Sequence, residues 1–132
     1  MSRAFLFVDD SPLHHQMYRL IFTRGPLAGN TLYHASNGRE GYALLTQHPE
    51  LTLVFLDLNM PEMNGLELLA RRAVEGLHPH VPIVLVTTES AEEDEARART
   101  AGAWDYLRKP FQPSDVERLV ARALAQAPGT AA

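Results

Sequence analysis

The stretch Leu51-Thr52-Leu53-Val54-Phe55-Leu56-Asp57-Leu58-Asn59-Met60-Pro61-Glu62-Met63-Asn64-Gly65 decides the fold. Leu51 and the run Leu53 to Leu56 lead straight into one acid, after which turn-forming residues take over. An apolar run of strand length without alternation predicts a strand buried on both faces, as in parallel sheets. Asp57 closes that strand at its carboxyl end, where open α/β sheets place ligands and chemistry. Asn59-Met60-Pro61 and Asn64-Gly65 predict a loop that leaves the carboxylate accessible.

Working outward, the same pattern recurs. Ala4 to Val8 is a second apolar run, ending in Asp9-Asp10, and Ile83 to Val86 is a third, ending in Thr87-Thr88. Thr31 to Ala35 reads as a shorter strand and Trp104 to Arg108 as a fifth, followed by Lys109-Pro110-Phe111. Between them lie helical patterns. Ser11-Pro12 supplies an N-cap and a first-turn proline for a helix to about Phe22, with Leu13, Met17, Leu20 and Ile21 as its expected buried face. A helix from about Arg39 to His48 is closed by Pro49. Gly65 opens another, with Leu66, Leu69, Ala70 and Ala73 on one side, ending near Gly76. Ser90 and Glu93 match a capping box for a helix that is polar apart from alanines, so it is expected to be lightly anchored until Gly102 stops it. Pro113-Ser114 starts a last helix with a clear stripe of Val116, Leu119, Val120, Ala123 and Leu124. Five strands alternating with five helices predict a doubly wound, five-stranded parallel α/β domain.

The totals narrow the function. At 132 residues, 45% hydrophobic and 21% charged, the chain suits one soluble domain. Twelve basic against sixteen acidic side chains give a net charge of -4, which does not favour a nucleic-acid partner. The lack of cysteine excludes disulfides and thiolate metal sites and fits a cytoplasmic location. The longest apolar runs are strand-length, so neither a signal peptide nor a membrane association is expected.

In a parallel sheet all carboxyl ends lie on one edge, so Asp9, Asp10, Asp57, Thr87 and Lys109 are expected to converge if their strands are neighbours. Two like charges about 4 Å apart repel by roughly 4 kcal/mol at an effective dielectric near 20, so three carboxylates call for a proton or a cation. A hard, oxygen-seeking ion such as Mg²⁺ suits them. A carboxylate relieved of repulsion in this way can attack phosphorus, with Lys109 and Thr87 placed to bind a phosphoryl group.

These residues carry a resemblance. Val8-Asp9-Asp10-Ser11, Leu56-Asp57-Leu58-Asn59-Met60-Pro61, Asn64-Gly65, Val86-Thr87-Thr88 and Lys109-Pro110-Phe111 together resemble the receiver domains of two-component response regulators, most of all the single-domain chemotaxis type. The resemblance covers about residues 4 to 126 and supplies the strand order 2-1-3-4-5 of the flavodoxin-like receiver fold. A receiver domain is expected over residues 1–127, and the residues at 128–132 are expected to form a disordered tail. The resemblance implies that Asp57 is the phosphoacceptor and that Mg²⁺ is held by Asp9, Asp10, Asp57 and the backbone carbonyl of Asn59, with Asp10 ranked above Asp9 as a direct ligand. Lys109, its bond to Pro110 typically cis in this family, and Thr87 would bind the phosphoryl group. Thr87 and Tyr106 would form the switch, and Asn59 and Glu89 would tune hydrolysis.

The sequence departs from that type at Asn64, Thr88 and Trp104. Thr88 is larger than the residue often found there and would crowd Thr87; Trp104 is expected to pack against the last helix rather than anchor a partner. The pairs His14-His15 and His78/His80 are expected on surface or loop and not as metal sites. The implied function is a stand-alone phosphoacceptor, not an enzyme beyond its own phosphorylation and dephosphorylation. It would be served by a histidine kinase or phosphotransfer protein and act on a downstream protein, as a monomer or a weak phosphorylation-dependent dimer. Two rivals stand beside it. A haloacid-dehalogenase-like aspartyl phosphatase needs a second acid two residues after the nucleophile, where Asn59 stands; a phosphorylation-independent scaffold would use the fold for docking alone.

Overall fold

The computed structural model describes residues 3–60, 62–88 and 92–126, without the side chains of 92–94 and 98. Its elements run β1 (Ala4–Val8), α1 (Pro12–Thr23), β2 (Thr31–Ala35), α2 (Gly38–Gln47), β3 (Leu51–Asp57), α3 (Gly65–Glu75), β4 (Ile83–Thr87), α4 (Glu92–Thr100), β5 (Asp105–Arg108) and α5 (Pro113–Ala125). The strands form one parallel sheet in the order β2-β1-β3-β4-β5, the doubly wound flavodoxin-like arrangement expected.

Alternation along the strands sends side chains to two cores. Ala4, Leu6 and Val8 join an aliphatic core with Leu56, Leu68, Leu69 and Leu85, under α2 and α3. Phe5 and Phe7 join an aromatic-rich core with Tyr18, Phe22, Phe55 and Phe111, closed by Val116, Leu119, Val120 and Ala123 of α5. On β3 the alternation slips once, because the pairing shifts from Ala4 opposite Leu51 to Phe5 opposite Leu53. From Leu53 onward the odd-numbered residues face the aromatic core, and Asp57 continues that row.

Local signals set the helix ends. Ser11 caps α1 by accepting from the His14 amide, with Pro12 in the first turn. Asn37 caps α2, accepting from Glu40 N at 2.8 Å. Asn64 and Glu67 form a reciprocal capping box on α3, with bonds of 3.0 and 2.9 Å, so the Asn64-Gly65 variant starts a helix. Gly76 ends α3 in the left-handed region at φ +64.

Two expected helix faces are corrected. On α1 the buried residues are His15, Tyr18, Ile21 and Phe22, whereas Leu13 and Leu20 are 63% and 51% exposed. On α3 they are Gly65, Leu68, Leu69 and Arg72, and Ala70 and Ala73 are exposed. Arg72 is buried because its guanidinium donates to the carbonyls of Leu77, His78 and Val81 at 3.1, 2.6 and 2.6 Å, holding the turn before β4. The last-helix stripe is as expected, with Leu124 only partly buried. Ser90, the side chain of Glu93 and the expected tail lie outside what is described.

Candidate functional site

β1 and β3 are neighbours with Val8 opposite Leu56, which sets Asp9 beside Asp57 just past the paired residues. Both are buried, at 1% and 6% exposure, while Asp10 is exposed. One carboxylate oxygen from each of the three lies within 4.8 Å of the others. Lys109 reaches them from the end of β5, with Nζ 3.1 Å from Asp9 Oδ2 and 3.3 Å from Asp57 Oδ1. Its amide donates to the Thr87 carbonyl at 2.8 Å, and the Lys109–Pro110 bond is cis. Phe111 follows into the aromatic core, stacked on Tyr18 at 5.4 Å.

Burial, then the charge of Asp9, raise the Asp57 pKa above the ordinary carboxylate value; Lys109 opposes the rise and Asp10 adds to it. Burial, then the charges of Asp9 and Asp57, push the Tyr18 phenol well up. Three carboxylates against one ammonium leave two negative charges uncompensated, the charge of one divalent cation. All donors are oxygens on one edge, so the set fits a hard ion such as Mg²⁺.

The histidines of α1 correct the expected surface placement. His14 Nδ1 stands 3.1 and 3.0 Å from Asp9 Oδ1 and Oδ2 and 3.0 Å from Lys109 Nζ. His15 is buried, with Nε2 2.7 Å from the Asp9 carbonyl and Nδ1 2.6 Å from His34 Nδ1. A carbonyl only accepts, so His15 Nε2 donates and its Nδ1 accepts from His34. His34 Nε2 is then a buried acceptor without a partner among the described residues. Burial, helped by His15 and Arg19, lowers the His34 pKa to about 4. The first turn of the helix after β1 overhangs the carboxyl edge, because helix side chains lean toward the N-terminus. That geometry is the signal that marks position 14.

Thr87 is fully buried at the end of β4, and Tyr106, partly buried on β5, pairs in register with Leu85. Alternation puts both on the aliphatic side of the sheet, opposite Asp9 and Asp57. Asn59 is exposed in the loop after β3, Thr88 is exposed after β4, and Glu89 and Pro61 lie outside the described residues. Trp104 packs on the last helix as expected, its Nε1 donating to Gln126 Oε1 at 3.0 Å under the Arg122 guanidinium at 4.8 Å. His78 and His80 sit in the loop before β4. No helix among the described residues is long and apolar enough to cross a membrane.

The chain is similar to known proteins. The family described as the response regulator receiver domain matches residues 5–121. A chemotaxis protein CheY homolog from Campylobacter jejuni is 37% identical over 108 residues, 82% of each chain. The chemotaxis protein CheY1 of Helicobacter pylori is 32% identical over 82% of this chain and 86% of its own. The solved structure of Vibrio cholerae chemotaxis protein CheY4 superposes with a TM-score of 0.81 at 29% identity, covering 93% of this chain and 99% of that one.

Proposed function

Since the chain belongs to the response regulator receiver family of two-component signalling, we propose that it accepts a phosphoryl group on Asp57 from a histidine kinase or another phosphohistidine protein. The observation that carries this reading is Lys109 Nζ bridging Asp9 and Asp57, at 3.1 and 3.3 Å, beside a carboxylate whose pKa is raised. An Asp57 oxygen attacks phosphorus, the P–N bond to the donor histidine breaks, and the imidazole leaves with that electron pair and takes up a proton. Lys109 offsets charge on the phosphoryl oxygens, and the Thr87 hydroxyl turns to donate to one of them. Asp9, Asp10, Asp57 and the Asn59 carbonyl would hold Mg²⁺, which when bound supplies charge neutralisation for the Asp57 and phosphoryl oxygens.

The output is a change at the opposite face. Thr87 moves toward the phosphate, Tyr106 turns into the space released, and a downstream protein reads the altered surface of α4, β5 and α5. Shifting the population from 1:99 to 99:1 takes about 5.5 kcal/mol of differential stabilisation. Charge-assisted bonds from Lys109 and Thr87 supply part of it. Asn59 and Glu89 set how fast water removes the group, and the setting is cytoplasmic. The phosphatase reading is disfavoured by Asn59 at the position that chemistry needs as an acid.

The test is intact mass after incubation with acetyl phosphate, with and without Mg²⁺, alongside Asp57→Asn. The expected result is one Mg²⁺-dependent phosphoryl adduct, labile on standing and absent from the variant. Steady release of inorganic phosphate from many ester substrates would revive the phosphatase, and no adduct in any condition would leave the scaffold.

A further inference from the structure

We propose that Tyr18 is a positioning residue of the acidic site, its phenol O–H donating through water toward the Asp9 and Asp57 carboxylates and hastening loss of the phosphoryl group. The inference rests on the phosphoacceptor reading of Asp57. Tyr18 is 1% exposed, and its ring centroid lies 4.3 Å from that of Phe7, 5.6 Å from Phe55 and 5.4 Å from Phe111. Phe7 stands two residues before Asp9, Phe55 two before Asp57 and Phe111 two after Lys109. A step of two along a strand keeps the same face and advances roughly 6.6 Å. The Tyr18 ring therefore fills the layer directly beneath the two acids.

The helix turns the hydroxyl toward them. β1 and β2 are parallel, so α1 carries the chain back from the carboxyl edge to the amino edge, with its N-terminus at the acids. Side chains on a helix lean toward its N-terminus, which here means toward the carboxyl edge. Burial, then the charges of Asp9 and Asp57, keep the phenol protonated, so it is an O–H donor in the field of two carboxylates. Phe22, one turn further from the acids, packs on Phe5 and Phe7 at 4.9 and 5.2 Å without a hydroxyl.

Among the described residues the Tyr18 hydroxyl has no hydrogen-bond partner, yet the fully enclosed side-chain atom without one is His34 Nε2. The phenol oxygen is therefore reached by solvent, and the small exposed part of Tyr18 includes it. A water bound there accepts from the phenol and donates to a carboxylate, a bridge close in strength to a direct bond.

The consequence lies in hydrolysis. A water oxygen attacks phosphorus, the bond from phosphorus to the Asp57 oxygen breaks, and its electron pair returns to the carboxylate. Dihydrogen phosphate leaves with both protons of the water. Negative charge thus moves from the phosphoryl group onto Asp57, toward the Tyr18 donor, which stabilises the transition state more than the acyl phosphate.

The experiment has two arms on the whole protein. In the first, wild type, Tyr18→Phe and a Tyr18→fluorotyrosine protein are loaded with acetyl phosphate and Mg²⁺, the donor is removed, and intact mass follows loss of the adduct. Tyr18→Phe is expected to hold the adduct about fivefold longer. The fluorinated phenol is a stronger donor and is expected to shorten the lifetime below that of the wild type. A Tyr18→Phe lifetime that is unchanged or shorter overturns the inference. So does a fluorinated protein that decays no faster than wild type, because a ring that only packs is indifferent to the acidity of its hydroxyl. That protein keeps both ring and hydroxyl, so it decides the matter even if Tyr18→Phe folds poorly.

In the second arm, carbon NMR follows the Tyr18 Cζ, which bears the hydroxyl, in wild type and in Asp57→Asn. Its resonance is expected to move when the charge is removed, and an unmoved resonance overturns the inference. A wild type that takes no phosphoryl group, while Cζ still answers to Asp57→Asn, overturns the phosphoacceptor reading and the effect on lifetime but leaves the donor beneath the acids.

Discussion

Helices α4 and α5 cover opposite faces of the same end of the sheet, and they are held very differently. α5 buries Val116, Leu119, Val120 and Ala123 in the aromatic core, while α4 buries none of its described side chains. The firmly packed face also carries Asp9, Asp57 and Lys109, whose proposed part is to hold charges in alignment. The lightly covered face carries Thr87 and Tyr106, whose proposed part is to move. Rigidity is spent where charges must be aligned, and looseness is kept where a rearrangement must be cheap.

The largest effect that probes this contrast is Leu119→Ala. It removes a 4% exposed side chain from the aromatic core and should cost about 3 kcal/mol, on the order of 10 °C in melting temperature. Urea and thermal unfolding would measure it, and a loss under about 1 kcal/mol would erase the difference between the helices. Next is acid sensitivity on the same face. His34 has its pKa lowered from 6.5 to about 4, so the stability tied to its neutral form is complete above 6.5 and is lost as pH falls toward about 4. Discounted for partial exposure, this is on the order of 2 kcal/mol. Replacing His34 with Phe should flatten the urea midpoint against pH across that window.

A smaller, opposite effect is expected from Asp57→Asn. Its raised pKa means that ionised Asp57 opposes folding above the folded-state value and no longer does so below its ordinary value of 3.8. The variant should be about 1 kcal/mol more stable at neutral pH, and the gain should vanish as pH falls toward 3.8. A variant destabilised at neutral pH would show that Lys109 outweighs the repulsion. Smallest is Arg99→Ala on α4, which breaks the exposed pair with Glu95 at 3.1 Å and should change stability by less than about 0.5 kcal/mol. Hydrogen exchange would sharpen the comparison further, with α4 amides opening more readily than those of α5.

Much of this was legible beforehand, for identifiable reasons. β1, β2 and β3 were readable because their runs are apolar or β-favouring and bounded by acids, turns or caps. Asp9, Asp10, Asp57, Thr87 and Lys109 stood out because each closes a strand or follows one. The α1 face was misread because Leu13, Met17 and Leu20 repeat at the same helical spacing as His15, Tyr18 and Phe22. Periodicity finds a stripe, but only the neighbouring sheet chooses between two of them, and here Phe7 and Phe55 select the aromatic one. Arg72 escaped notice because its partners are three carbonyls of a loop, which sequence spacing does not reveal. His14 and His15 were set aside as a surface pair, since adjacent residues on a helix diverge. They do diverge, one toward the acids and the other toward His34.

Gly38 has one more consequence. A side chain there would collide with the carbonyl of Met63, and Glu62 and Met63 hold positive φ angles of 50 and 84 in the loop between β3 and α3. That loop is therefore braced against the start of α2, with Asn37 Nδ2 also donating to Glu62 at 3.3 Å. A protein docking across the mouth of the site meets one wall whose shape is already set. It loses little entropy in ordering that wall, so binding energy gained there goes into affinity.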